Sequence, residues 1–294
     1  MTTQLTVAIP TYNRSATLIR LLDRILPQLM AEDELLVVDD GSQDRTADLL
    51  CEMRRVRLVR NELNRGMVSA WNTCLQSALH PWICIIHDDD LPSPNMLEIV
   101  KRTCALAETP SLIGHNSLDT DVDNCFRYRF SEPGPWAVLN SSFTPSGATI
   151  HRAIMESVGL FDEHFTYSPD IEYFARICAR HPSFAVYSPS LIHYRLHEHN
   201  YQYHTWRQPD FLTQLEEIET LLLNYSGLSG DVATRWQRSR MIRHLAYMLR
   251  AAARIGDRLL LRKIGLLLCK APGVGRRLRV TAFIAAHTGR LVSF

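Results

Sequence analysis

The chain has 294 residues, of which 46% are hydrophobic and 21% are charged. These proportions are typical of a globular protein and exclude a disordered chain, a collagen and an array of short repeats. The apolar segments are far shorter than the roughly 18–20 residues that cross a bilayer, so we expect no spanning helix. Seven cysteines, an odd number without metal-type pairs, favour a reducing compartment and predict a cytoplasmic protein.

Charge is distributed unevenly along the chain. Residues 1–234 contain 18 Lys and Arg against 30 Asp and Glu, a net charge of −12. Residues 235–294 contain 14 Lys and Arg and a single acidic residue, Asp257, a net charge of +13. An acidic body with a basic terminal segment suggests cation chemistry in the first part and an anionic partner for the second.

The first half of the chain alternates apolar strands with amphipathic helices. Because the strands are apolar throughout, they are typical of a parallel sheet that helices cover on both faces. The alternation predicts an α/β doubly wound fold. We predict strands at 5–9 (ending at Pro10), 34–38, 56–59 and 82–86. We predict a first helix that begins at an N-cap at Ser15 and has Leu18, Leu21, Leu22 and Ile25 on one face, and two further helices at 47–53 and 68–78.

The second half is less regular until Phe211, where a helical pattern begins. We predict a strand near 148–151, a helix near 171–180, a further short segment at 185–187, and helix breaks at 256–257 and 271–273. The domains predicted are 1–205, divided into halves 1–109 and 110–205, and a basic helical region 206–294. One helical wheel places Arg240, Arg243, Arg250, Arg254 and Arg258 on a basic face, with Met241, Leu245, Met248, Leu249, Ala252, Ile255 and Leu259 opposite.

Polar clusters follow three of the predicted strands, at residues 10–14, 39–44 and 88–90. In an open parallel sheet, ligands bind outside the carboxyl ends of the strands, so the clusters predict one site. Three adjacent carboxylates at 88–90 repel one another, and a hard divalent cation that also meets phosphate oxygens is their natural partner. The alternative is a solvated acidic turn.

The cluster that begins at Asp39 has two interpretations. It can be a loop that caps a helix through Ser42 or Asp44, but capping does not explain Asp39 and Asp40. A carboxylate there can accept a hydrogen bond from the imide N–H of a nucleobase. Four histidines (His193, His197, His199 and His204) lack the cysteine pairs of a zinc finger, and one of them is a better candidate for a ligand to the metal at 88–90.

Seven segments in order over residues 4–205 resemble motifs of the family 2 glycosyltransferases, which have the GT-A fold. Two positions depart from the family pattern: His87 stands where an aspartate often opens the metal motif, and Pro169 where an acid often precedes the catalytic aspartate. The seven segments are Ile9–Arg14, Val37–Thr46, Asn64–Gly66 with Ala70 and Asn72, Ile86–Leu91 with Pro94, Gly159–Glu163, Asp170 with Arg176, and Tyr194–His197 with Asn200.

The resemblance implies a role for individual residues. Asp170 would be the general base, with Glu172 as a lesser rival, and Asp89 or Asp90 would hold Mn²⁺ or Mg²⁺ on the diphosphate. The nucleobase pocket would be lined by Pro10, Thr11, Tyr12 and Arg14, and the base N–H would meet Asp40, together with Asp39. Arg65 and Gly66 would lie near the base and ribose, and Asp88 near the ribose. Arg195 and His197 would approach the diphosphate or the metal.

The resemblance therefore implies an inverting, metal-dependent glycosyltransferase. It would move a sugar from a UDP- or dTDP-sugar donor to a hydroxyl of a glycan or lipid-linked acceptor, in bacterial surface polysaccharide or cell-envelope glycan synthesis. One alternative is a nucleotidyltransferase, which would favour a glycine-rich loop where residues 10–14 stand. Another is an inactive glycan-binding or scaffold protein, against which the acids at 88–90 and Asp170 argue.

The basic terminal region predicts a further partner. We expect its helices to bind the anionic inner face of the cytoplasmic membrane peripherally, because each basic residue near such a surface adds attraction. The alternative is that the apolar faces of these helices pack on the body of the enzyme and the arginines are only solvated. The sequence carries no recognition motif for nucleic acid, so we predict no nucleic-acid partner.

Overall fold

The structure is a computed structural model that describes residues 3–119, 145–181, 184–194 and 201–291. The chain divides into two compact units, Met1–Leu196 and His197–Phe294. This division comes before residue 205, where the sequence pattern places the end of the first domain. The first unit contains the sheet and the second is helical, as the fold prediction requires.

The first unit combines eight strands with six α-helices among the described residues. The strands are β1 (Leu5–Thr11), β2 (Glu34–Asp39), β3 (Val56–Arg60), β4 (Trp82–Ile85), β5 (Leu91–Pro92), β6 (Leu112–Asp119), β7 (Thr149–His151) and β8 (Phe184–Tyr194). The helices are α1 (Ser15–Ile25), α2 (Thr46–Cys51), α3 (Met67–Ser77), α4 (Met96–Leu106), α5 (Arg152–Val158) and α6 (Pro169–Arg180), with a short 3₁₀ helix at Leu26–Gln28.

The strands form one sheet in the order β3-β2-β1-β4-β7-β6-β8-β5. Strands β3, β2, β1 and β4 are parallel, so the doubly wound prediction is confirmed for this half. Strand β7 is antiparallel to β4 and β6, β6 is parallel to β8, and β5 is antiparallel to β8. The carboxyl ends of β1, β2 and β4 therefore lie side by side at one edge.

The core of the first unit is built from strands that are buried on both faces. Every residue of β1 and of β2 is buried, because helices cover the sheet on both sides. Helix α1 packs its predicted apolar stripe, from Leu18 to Ile25, into this core. The helix begins at Ser15 with Arg14 as its N-cap, one residue before the N-cap predicted at Ser15.

The prediction that β1 stops at Pro10 is wrong, because the strand continues to Thr11. Pro10 pairs with Val38 of β2 in the register of the two strands. Alternate residues of a strand present their N–H and C=O groups to the same neighbour. Ala8 accepts from Ile86 on the β4 side, so Pro10 also faces that side, beyond Ile85 where β4 ends. Its missing N–H therefore removes no ladder hydrogen bond.

The second unit consists of helices. They are α7 (Tyr201–Arg207), α8 (Phe211–Ser226), α9 (Gly230–Arg254), α10 (Arg258–Lys270) and α11 (Arg276–Thr288). The predicted breaks at 256–257 and 271–273 are confirmed by the gaps between α9, α10 and α11. Among the residues that the structure describes, no helix is long and apolar enough to cross a membrane.

The single basic face predicted for residues 240–258 is wrong in two places. Arg240 is buried and forms an ion pair with the buried Glu219 of α8, with Nε at 2.9 Å from Oε1. Leu259, predicted on the buried apolar face, is 78% exposed. The helix ends at Arg254 and a new one begins at Arg258, so one wheel cannot be continued across the break.

Candidate active site

The structure brings the polar clusters that follow β1, β2 and β4 together at one edge of the sheet. Thr11 donates a hydrogen bond from Oγ1 to Oδ2 of Asp88 at 2.7 Å. The backbone N–H of Asp40 donates to the carbonyl of Thr11 at 2.9 Å, and that of Asn13 donates to Oγ of Ser42 at 2.8 Å. The three strand ends thus form one connected polar site.

Arg14 links the first cluster to the acidic one. Its Nη1 donates to Oδ1 of Asp88 at 3.0 Å and also to Oδ2 of Asp89. Burial raises the pKa of Asp88 to about 6, an effect that the Arg14 charge opposes and the Asp89 charge reinforces. The guanidinium is therefore the charge that lets two adjacent carboxylates lie together in a poorly solvated place.

Three side chains at the end of β4 could hold a metal ion. His87, Asp89 and Asp90 each offer one ligand atom, and these atoms lie within 4.8 Å of one another. Burial lowers the pKa of His87 to about 4, which leaves its imidazole neutral and able to coordinate. The sequence names Asp89 and Asp90 but treats His87 only as a departure from the motif. His197, the third expected ligand, lies outside the described residues.

Asp39 and Asp40 have different surroundings, although the sequence treats them together. The carboxylate of Asp40 accepts hydrogen bonds from the backbone N–H of Arg65 at 3.1 Å, from that of Gly66 at 2.8 Å and from Nδ2 of Asn61 at 2.7 Å. Asp40 thus holds the loop 61–66 against the edge of the sheet. Gly41 belongs to the same arrangement, because a Cβ there would lie 2.7 Å from the backbone of Leu63.

Asp39 keeps one carboxylate oxygen without a hydrogen-bond partner. Its Oδ1 accepts from the backbone N–H of Ser42 at 2.9 Å. Its Oδ2 lies 3.2 Å from Nε of Arg60 in an ion pair but accepts no hydrogen bond. Of the two acids, Asp39 is therefore the one that keeps a buried oxygen without a hydrogen bond. Among the other expected pocket residues, Pro10 and Thr11 are buried, while Tyr12 and Arg65 are exposed.

The expected general base lies in the first turn of α6. Ser168 has a φ of 47°, and Pro169 then opens the helix, so Asp170 is half-buried at the positive end of the helix dipole. Glu172 is buried and pairs with Arg176 through two hydrogen bonds of 2.8 and 2.9 Å. Arg176 also donates to the carbonyls of Val158 and Leu160. Glu172 therefore has a structural partner that fixes α6.

A row of rings, which the sequence does not predict, connects the metal-capable group to α6. His87 stacks on Trp71 with ring centroids 5.2 Å apart and an interplanar angle of 11°. The ring centroids of Trp71 and Phe161 are 5.1 Å apart, and those of Phe161 and Tyr173 of α6 are 4.0 Å apart. The aromatic residues themselves are the signal in the sequence, but their pairing depends on contacts between distant segments.

Asn72 adds a polar clamp beside this row of rings. Its Oδ1 accepts from the backbone N–H of Phe161 at 2.9 Å, and its Nδ2 donates to the carbonyl of the same residue at 3.0 Å. The amide also donates to Glu163 at 3.1 Å. The motif residues of α3 thus hold the 161–163 segment. Arg195, the remaining expected phosphate contact, lies outside the described residues.

Comparison with known proteins agrees with this arrangement. The model of the family described as glycosyl transferase family 2 matches residues 6–105. The Escherichia coli protein named UDP-Glc:alpha-D-GlcNAc-diphosphoundecaprenol beta-1,3-glucosyltransferase WfgD is 35% identical over 95 residues, which are 32% of this chain and 38% of WfgD. Matches to WfgD and three other bacterial relatives span only 31–42% of the length of those proteins.

Solved structures support the fold over most of the chain. The structure of Staphylococcus aureus TarS 1–349 with UDP-GlcNAc matches with a TM-score of 0.67 and 17% identity, covering 96% of this chain and 87% of that one. Mannosyltransferase PcManGT from Pyrobaculum calidifontis, with GDP-Man and Mn²⁺, matches with a TM-score of 0.59 and 20% identity, covering 96% and 84%. The chain therefore has the GT-A fold of these structures, and its residues 6–105 match the model of glycosyl transferase family 2.

Proposed function

We propose that this protein is an inverting, metal-dependent glycosyltransferase. It moves a sugar from a UDP- or dTDP-sugar to a hydroxyl of a glycan or lipid-linked acceptor, in bacterial surface polysaccharide or cell-envelope glycan synthesis. The observation that carries the proposal is the group formed by His87, Asp89 and Asp90 at the carboxyl edge of the sheet, with Arg14 beside it. Carboxylates, a neutral imidazole and a guanidinium at one place suit a cation and a diphosphate.

The residues present fit a divalent ion. His87, Asp89 and Asp90 would hold Mn²⁺ or Mg²⁺, since carboxylate oxygens are the ligands that these hard ions prefer. When bound, the ion stabilises the negative charge that develops on a leaving nucleoside diphosphate. Arg14 adds a fixed positive charge, and Asp39 offers Oδ2 to the base N–H.

Asp170 is the proposed general base. It would take the proton of the acceptor hydroxyl as that oxygen attacks the anomeric carbon from the face opposite the leaving group. One displacement of this kind inverts the configuration and needs no covalent intermediate. Asp170 lies in the first turn of α6, where the helix dipole stabilises negative charge, whereas Glu172 is engaged by Arg176.

Two relatives suggest the chemical class of the substrates. TarS was solved with UDP-GlcNAc, and the name of WfgD gives it UDP-Glc as donor and a diphosphoundecaprenol-linked sugar as acceptor. We extend these classes to this chain as a uridine- or thymidine-diphosphate sugar and a lipid-linked glycan. An acceptor of this kind would place the protein at the cytoplasmic face of the membrane.

The test is release of nucleoside diphosphate from a donor panel of UDP-, dTDP- and GDP-sugars by the purified chain. We expect release from a UDP- or dTDP-sugar that stops with EDTA and returns with Mn²⁺. Asp89→Ala should abolish it, with Asp90→Ala made alongside, whereas Asp23→Ala, which removes an exposed carboxylate of α1, should not.

Three outcomes would overturn the proposal. Pyrophosphate release from a nucleoside triphosphate would indicate a nucleotidyltransferase. Donor binding without release, under any metal condition and with a panel of acceptors, would indicate a glycan-binding or scaffold protein. Wild-type turnover with undiminished Mn²⁺ stimulation in both Asp89→Ala and Asp90→Ala would remove the metal assignment.

A further inference from the structure

The last two helices expose large apolar side chains. Leu259 and Leu266 of α10 are 78% and 48% exposed, and Val280 and Phe283 of α11 are 42% and 55% exposed. The spacings of seven and three residues place each pair on one face of its helix. The opposite face of each helix is buried, so each helix has a core-facing side and a separate apolar side that does not belong to the core.

The two exposed faces lie on the same side of the helix pair. Helices α10 and α11 run antiparallel, because Gly265 packs against the backbone of Ala282 and Ala286 while Gly289 lies beside Arg258. Along α10, the exposed residues lie about a quarter turn from the line of contact with α11. The exposed residues of α11 lie on the same side of the helix pair, because in an antiparallel partner the residues progress around the helix axis in the opposite direction. We call this surface, formed by the exposed residues of α10 and α11, the hairpin face.

Basic side chains surround the apolar ones on these helices. Residues 258–294 contain eight Lys and Arg and no Asp or Glu. A surface that is only solvated commonly mixes both signs of charge. The exposed basic residues of the two helices are Arg258, Arg262, Lys270, Arg276, Arg277 and Arg279.

We propose that the hairpin face binds an anionic lipid bilayer, with Leu259, Leu266, Val280 and Phe283 inserted at the level of the headgroups. Exposed leucine and phenylalanine among basic residues are typical of helices that lie in a membrane interface. A second copy of the chain fits poorly, because an isologous contact would oppose two basic surfaces without a compensating acid. Nucleic acid would use the charges but has no use for the exposed leucines.

The hairpin face lies on α10 and α11, whereas the sequence pattern places most of the basic face on α9. Arg240 of α9 is committed to Glu219, and Arg207 of α7 pairs with Asp257. Binding through the hairpin face would bring the chain to the bilayer that holds the lipid-linked acceptor of the proposed function. It does not depend on sugar transfer, so a failure of either proposal can be recognised separately.

The test is co-sedimentation of the full chain with vesicles of phosphatidylcholine alone or with phosphatidylglycerol. We expect binding to the anionic vesicles at low salt, loss at high salt and no binding to the neutral ones. One basic residue at such a surface changes binding about fivefold. Arg276→Glu with Arg277→Glu should therefore weaken binding about 25-fold or more, and Glu in a first helical turn suits the helix dipole, so folding is preserved.

A second pair of variants separates membrane insertion from charge alone. Leu266→Gln with Phe283→Gln should weaken vesicle binding about tenfold or more. Leu79→Gln with Leu106→Gln, which alters side chains of similar exposure in the first unit, should leave it unchanged. Equal pelleting with neutral and anionic vesicles, or equal losses in both pairs, would overturn the proposal.

Other occupants have their own signatures. If Arg276→Glu with Arg277→Glu reduces binding to duplex DNA as much as to vesicles, and Leu266→Gln with Phe283→Gln changes neither, the surface is a polyanion site rather than a membrane site. If light scattering shows a dimer without vesicles that Leu266→Gln with Phe283→Gln dissociates, the hairpin face is an interface between copies. Either result would replace the lipid proposal.

Discussion

Asp170 and Glu172 are two carboxylates in the first turn of α6, and substituting each of them separately distinguishes a role in catalysis from a role in stability. Asp170 is half-buried at a helix N-terminus, so the nearly isosteric Asp170→Asn removes one negative charge there and should cost less than about 1 kcal/mol of unfolding free energy. Because Asp170 is the proposed general base, its loss should lower kcat by about 10²–10⁴-fold while donor affinity is kept.

Glu172→Gln should behave in the opposite way. The carboxylate of Glu172 is 4% exposed and accepts two hydrogen bonds from Arg176, which is itself 15% exposed. Removing one partner of a buried ion pair costs about 3–5 kcal/mol. Gln keeps one acceptor, and Arg176 keeps the carbonyls of Val158 and Leu160, so we expect a smaller cost than that range, about 2–3 kcal/mol.

The assay pairs urea unfolding of each variant with its initial rate of nucleoside diphosphate release at saturating donor, and calorimetry gives donor affinity. The expected pattern is a stable, slow Asp170→Asn and a less stable Glu172→Gln whose folded fraction retains turnover. A stable but inactive Glu172→Gln beside an active Asp170→Asn would show that the base has been assigned to the wrong carboxylate.

Three further predictions concern stability. Asn72→Ala removes three hydrogen bonds around buried Phe161 and should lower the unfolding free energy by about 2–4 kcal/mol in denaturant titration. Gly265→Ala should lower the melting temperature despite a helix-propensity gain of about 1 kcal/mol, because the new Cβ would lie 2.6 Å from the carbonyl oxygen of Ala282. Burial lowers the pKa of His244 to about 3, so stability should fall from pH 6.5 towards pH 3 as the unfolded chain takes up a proton, and His244→Gln should flatten that fall.

The parallel half of the fold could be predicted because its signals are local. Continuous apolar runs identify buried strands, and the four-residue stripe of α1 identifies the face that packs on them. The carboxyl-edge rule then brings Thr11 and Asp88 together without knowledge of the sheet order. The order β7-β6-β8-β5 could not be read in this way, because neighbours that are distant in sequence leave no periodic trace.

The candidate site was predictable by residue type but not by partner. The sequence identifies Asp39 and Asp40 as one acidic pair. Only the structure shows that Asp40 accepts from the loop at Arg65 and Gly66, while Asp39 retains a lone pair. His87 is similar: its place beside the acids is visible in the sequence, but its stacking on Trp71 of α3 is visible only in the structure.

The basic terminal region shows why net charge does not locate a binding surface. A helical wheel counts Arg240 as a basic surface residue, yet Glu219 of the preceding helix neutralises it in the interior of the unit. Leu259 contributes to a predicted core, yet the break at Gly256–Asp257 resets the phase of the helix and turns this side chain outwards. The charges that remain exposed on α10 and α11 stand beside exposed apolar side chains, and the proposed membrane surface rests on that coincidence rather than on the total of +13.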